Sequence, residues 1–163
     1  MANQTSSQFD FVKTATPVQL VFFIFSNNAR IALLEFIPAI GAIFFLVVGY
    51  NTGVVTQVIT VSQNLPSLTG VILFVFPYSF VELSAYAVAV GSGTMLVASM
   101  FRRRFLRELR VFAFEVVLAL ALLIAAAVME TATEYSLIAG LALWLPTGLS
   151  LAAFLLLRRR LAA

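Results

Sequence analysis

Four stretches of the chain, residues 31–50, 79–101, 111–129 and 137–157, are each apolar over the length of a membrane-crossing helix. A hydrocarbon core of roughly 30 Å takes about 20 residues of helix. A water-soluble domain has to cover its surface with polar groups. This chain has few to offer, since 62% of its residues are hydrophobic and only 10% are charged. In lipid, every backbone N–H and C=O has to be satisfied inside the protein, which leaves helices as the form for such runs. The sequence therefore predicts an all-α fold, a polytopic transmembrane helical bundle of about four full spans.

Shorter segments lie between and before these runs. Residues 17–26, PVQLVFFIFS, are too few to cross and read as an interfacial or re-entrant helix. Asn27, Asn28 and Arg30 follow, where the chain can turn and the next helix can be capped. The first span carries Glu35, Pro38 and Gly41 and closes on Asn51-Thr52-Gly53, a helix-stop pattern. Residues 54–63 either extend that helix or form an interfacial turn, and Asn64-Leu65-Pro66-Ser67 punctuates the chain. A second short apolar segment, residues 68–76, breaks at Pro77, where Tyr78 and Ser79 can satisfy the backbone groups that the break frees. One or two short re-entrant or interfacial helices thus accompany the spans. Residues 1–16 read as a polar cytoplasmic tail, 17–160 as a single transmembrane domain, and 161–163 as a cytoplasmic end.

Basic residues set the orientation. Of the ten Lys and Arg, six form two runs, Arg102-Arg103-Arg104 and Arg158-Arg159-Arg160, and Arg107 and Arg110 extend the first. Such clusters at the ends of apolar runs anchor the cytoplasmic side. The acidic link at residues 130–134 then lies outside. Four spans with both termini cytoplasmic, in the cell membrane, satisfy every cluster. No nucleic-acid partner is expected, because topology already accounts for the arginines.

The composition narrows the chemistry. Without cysteine or histidine, the chain has no thiolate site, and it lacks the commonest metal ligand and the commonest general acid/base. The expectation is a protein that is not an enzyme and has no cofactor and no metal. Glu35 and Glu82 are the carboxylates of interest, since each lies in or at the edge of a span. An ionised acid at the bilayer centre costs about 2.5–3.5 kcal/mol on insertion scales, so it usually faces a bundle interior, a partner or a water-filled cavity. Both are read either as part of an ion or proton pathway or as structural acids held by neighbouring polar groups. Glu115 reads as an interfacial partner of Arg110 or Arg107, and Glu130 and Glu134 as residues of the outer link. Gly49-x-x-x-Gly53 has the spacing of close helix packing, within a tight bundle or a homodimer.

Three blocks resemble the stage II sporulation protein M family of small polytopic membrane proteins. The first is Asn27-Asn28-Ala29-Arg30-Ile31-Ala32, with Phe36, Gly41 and the turn Gly49-Tyr50-Asn51-Thr52-Gly53 after it. The second, Phe76-Pro77-Tyr78-Ser79-Phe80-Val81-Glu82-Leu83-Ser84-Ala85, is similar to the family's Pro-His-Gly-x-x-Glu-x-x-Ala signature, with Tyr78 in the place of His and Ser79 in the place of Gly. The third is Ala125-Ala126-Ala127-Val128-Met129-Glu130, similar to the family's alanine-rich helix ending in Glu. The Asn and Gly of Asn51-Thr52-Gly53 are one residue further apart than in the family pattern. The resemblance implies a membrane-complex subunit; the family's founding member works beside other membrane proteins in a complex that remodels the cell wall.

Two functions follow from these readings. The first is a non-enzymatic scaffold or subunit of a membrane complex, whose partners are the lipid bilayer, other membrane proteins and a second copy of itself. The alternative is a small homodimeric transporter or channel component built around Glu82 and Glu35 near helix breaks. Its candidate residues are Asn27, Asn28, Glu35, Asn51, Gly53, Pro77, Tyr78, Ser79, Glu82 and Glu130.

Overall fold

The computed structural model describes residues 14–66, 68, 70–71, 74–101 and 105–149. Among these the fold is helical. The helices are α1 (Pro17–Glu35), α2 (Gly41–Ser62), α3 (Pro77–Phe101), α4 (Phe105–Tyr135) and α5 (Leu137–Ala142). The first four are long and apolar enough to cross a membrane, and the apolar helix that begins with α5 runs on to Leu149. The chain is thus a polytopic helical bundle, but the four long helices are not the four apolar runs of the sequence.

The first difference is at the N-terminal end. The stretch read as a ten-residue interfacial segment is the front half of α1, a continuous helix of 19 residues. Thr16 caps it in a reciprocal box: Gln19 N–H donates to Thr16 Oγ1 at 3.4 Å, and Thr16 N–H donates to Gln19 Oε1 at 2.9 Å. Pro17 occupies the first turn, where its missing N–H costs nothing. Asn27, Asn28 and Arg30 do not turn the chain. Asn28 lies on the buried face of α1, so its polarity marks an interior position and not a helix end.

The break comes later, at residues 36–40. Pro38 has no N–H to donate and disfavours helix in the residue before it. The chain reverses through Ala39 at φ 68° and enters α2 at Gly41. A Cβ on Gly41 would collide with the Glu35 carbonyl oxygen, so the tightness of this reversal requires glycine. The expected stop at Asn51-Thr52-Gly53 does not occur, and α2 runs through it to Ser62. Gly53 keeps a helical backbone, without the positive φ of a glycine stop. Residues 54–62 therefore extend the helix, and the turn falls at Asn64, with φ 52°.

Pro77 starts α3, as the sequence suggests. The basic segment 105–110 and the acidic segment 130–134 are not loops but the two ends of α4. At 31 residues this helix is about 46 Å long, longer than the hydrocarbon core is thick, which is enough for its charged ends to reach both interfaces. The link to α5 shrinks to Ser136, whose side chain accepts from Ala139 N–H. Trp144 pins the last helix to the start of α3: its Nε1–H donates to the Val75 carbonyl at 3.0 Å, and its ring lies 6.2 Å from that of Phe80. Arg102, Arg103, Arg104, Arg158, Arg159 and Arg160 lie outside the described residues.

The core is built by α1, α3 and α4. Ala29, Ala32 and Phe36 meet Ala85, Tyr86 and Ala89, and Ala119 and Leu123 close the third side. Alanine at these contacts lets the backbones approach, which is how membrane helices gain van der Waals attraction when lipid offers no hydrophobic drive. Phe36 and Phe112 meet edge to face at 5.4 Å. Gly93 abuts the Phe36 carbonyl. By contrast α2 lies at the side of this trio, with none of its membrane-crossing window buried.

Candidate functional site

A cavity of about 380 Å³ lies between α1, α2 and α3. Helical spacing brings its lining together. On α1, Asn28, Ile31 and Glu35 recur at three and four residues, and on α3, Tyr78, Glu82 and Tyr86 recur at four. Facing them on α2 are Phe45, Val48, Gly49, Thr52 and Thr56. Asn27, Ser79, Leu83 and Phe74, from the turn before α3, complete the wall.

The two carboxylates differ in their surroundings. Glu82 Oε1 accepts a hydrogen bond from the Tyr86 hydroxyl at 2.8 Å. Glu35 is fully buried, and among the described residues neither of its oxygens has a hydrogen-bond donor. A buried acceptor left unsatisfied costs about 1–3 kcal/mol, and more when charged. Glu35 and Glu82 lie close enough to act on one another electrostatically. Beside them, Asn27 Nδ2 donates to Asn28 Oδ1 at 3.4 Å. Among the described residues, none that lines the cavity is basic.

Six of the residues singled out in the sequence thus surround one cavity: Asn27, Asn28, Glu35, Tyr78, Ser79 and Glu82. Pro77 is buried at the start of α3, and Tyr78 stacks on Phe76 at 5.6 Å. Glu130 sits half-buried on α4, outside the lining but within electrostatic reach of Glu82 and Tyr78. Asn51 and Gly53 lie elsewhere, exposed on α2, and Arg107 is exposed near the start of α4.

Sequence reasoning passed over Tyr86, Thr52 and Thr56 as site residues. Tyr86 carries a readable signal, since it stands four residues after Glu82, one turn along the same helix. Gln57 was passed over too. It is exposed on α2, four residues beyond Gly53 and eight beyond Gly49, so the three form a stripe along one side of the helix. Among the described residues, nothing lies within 4 Å of a Cβ placed on Gly49 or Gly53.

The wall is mostly apolar, but its amides and carboxylates can accept hydrogen bonds from a cationic or donor group. No group of three or more acidic, His or Cys side chains suited to a metal ion occurs among the described residues. A family model described as Stage II sporulation protein M matches residues 1–133 of the chain. No curated protein and no solved structure matches it.

Proposed function

The chain belongs to the stage II sporulation protein M family, and from that premise we propose that it is a non-enzymatic scaffold, a subunit of a membrane complex that assembles with other membrane proteins through α2. One observation carries this reading: the open stripe of Gly49, Gly53 and Gln57. Two glycines one turn apart let a second helix backbone come close. An amide facing hydrocarbon is costly without a partner, and a neighbouring transmembrane helix can supply one. The rest of the protein serves as the frame that holds α2 at the edge of the bundle.

The same proposal fixes an orientation. With Arg107 and its neighbours on the cytoplasmic face of the cell membrane, and with α1, α2 and α3 all crossing, three crossings separate the N-terminal tail from the arginines. The tail then lies outside, opposite to what the four sequence runs suggest. The test of the scaffold reading is purification from the native membrane in mild detergent, followed by mass spectrometry. A stoichiometric membrane protein that is lost on Gly53→Leu supports it. A chain that purifies alone, unaffected by Gly53→Leu, speaks against it.

A second reading, a small transporter or channel component, draws support from the cavity and its buried acid. Cation flux into proteoliposomes that falls on Glu35→Gln would favour it over the scaffold.

A further inference from the structure

The cavity has a chemical preference that neither reading specifies. We propose that it is a binding site for a primary ammonium group, that of a small amine or of a lipid head group, with Glu35 as the principal acceptor. Four features of the wall converge on this ligand.

First, Glu35 belongs to the cavity wall with both oxygens sealed from solvent and, among the described residues, without a donor, so an ammonium meets it once the side chain turns into the cavity. An ammonium brings three N–H donors and a positive charge, the complement of an acceptor-only carboxylate. Second, Glu82 provides another carboxylate, with one oxygen held by the Tyr86 hydroxyl. Among the described residues, no arginine or lysine of the lining competes for either acid. Third, the aromatic residues Phe45, Phe74, Tyr78 and Tyr86 belong to the same wall, although Tyr78 has one ring face stacked on Phe76. Ring faces attract cations, and most strongly away from water. Fourth, the size argues against a bare metal ion. About 380 Å³ falls in the range of small-molecule pockets, about 300–1,000 Å³. A divalent ion such as calcium gathers about 6–8 close oxygens, and no acidic cluster of that kind occurs among the described residues.

Access is also built in. Asn27 and Gly49 belong to the wall and are exposed, so the cavity reaches the surface between α1 and α2. Asn28 lies just inside that edge and offers an amide oxygen. The site requires neither transport nor a protein partner. Gly49 belongs both to its mouth and to the open stripe of α2, so a helix docked there would narrow the entrance, and binding is therefore tested on the purified protein alone.

The experiment titrates n-butylammonium into the purified wild-type protein in mild detergent, with sodium as the control and binding read by calorimetry. In a parallel arm the protein sits in phosphatidylcholine nanodiscs with or without phosphatidylethanolamine, and retained lipid is read by native mass spectrometry. Saturable binding of butylammonium, or selective retention of phosphatidylethanolamine, is expected, and the arm that responds identifies the source of the ammonium. Glu35→Gln is expected to weaken that binding at least tenfold. If that variant does not fold, Glu82→Gln decides, with an expected loss of at least fivefold. Binding unchanged in the variant, binding of sodium alone, or binding in neither arm would overturn the assignment.

Discussion

Alanine substitutions at Gly91 and Gly93 form a matched pair that tests the packing of α1 on α3. Both glycines lie within α3, two residues apart. At Gly93 a Cβ would stand 2.9 Å from the Phe36 carbonyl oxygen and 3.3 Å from its carbon. Ordinary C···O contacts are about 3.3–3.6 Å, so the shortfall is roughly half an ångström. The opposing atoms are backbone and cannot rotate aside. At Gly91 a Cβ meets nothing within 4 Å. Each alanine gains about the same helix propensity, roughly 1 kcal/mol, and the gain cancels in the comparison. What remains is the cost of overpacking, typically about 1–3 kcal/mol. Gly93→Ala should therefore unfold more readily than Gly91→Ala by that amount, about a 5- to 150-fold difference in the unfolding equilibrium. Reversible unfolding in mixed detergent micelles, followed by the fluorescence of the single tryptophan, measures it. Equal stability of the two variants would refute the close approach of Phe36 to α3.

Two further outcomes follow from the same geometry. Tyr86→Phe removes the donor that Glu82 Oε1 receives at 2.8 Å; it should cost about 1–3 kcal/mol in the same unfolding assay, and no loss would mean that this hydrogen bond does not contribute. For the orientation, a membrane-impermeant maleimide should label Ser6→Cys on intact cells but Leu106→Cys only after permeabilisation, against a background free of native cysteine. Labelling of both from one side would show that one of the first three helices does not cross.

Much of this was readable in the residues, and the failures have definite causes. Pro77 marks a helix start because its missing donor and fixed φ act locally, whatever surrounds them. Pro38 carried the same signal, but it sat inside an apolar run of convenient length, and Asn51-Thr52-Gly53 looked like the better stop. That pattern stops a helix only if one of its residues turns left-handed, and packing around α2 gives no reason for it to do so. Asn27 and Asn28 were misread because polarity in an apolar context signals either an end or an interior polar face; the position of α3 decides between them, and α3 is remote in sequence. The charged ends of α4 suggest loops because charge suggests solvent, yet Arg and Glu are good helix formers.

The site shows the same division. Glu35 and Glu82 stand out because a carboxylate within an apolar run needs a reason. That they share a cavity depends on the register between α1 and α3, which small residues such as Ala32, Ala85 and Gly93 set through contact. Thr52, Thr56 and Gln57 carry no such warning in sequence. Their roles come from which side of α2 meets the bundle and which side is left open.

The most direct test of the proposed function is a photo-crosslinking residue placed at Gly53 in native membranes, with one at the outward-facing Val117 of α4 as the control. The account predicts a discrete adduct with a second membrane protein from Gly53 and none from Val117. It also predicts that Gly49→Leu abolishes the Gly53 adduct while the helical fold persists, since position 49 has room for a side chain. Lipid adducts alone at both positions, or an adduct indifferent to Gly49→Leu, would contradict assembly through the open face of α2.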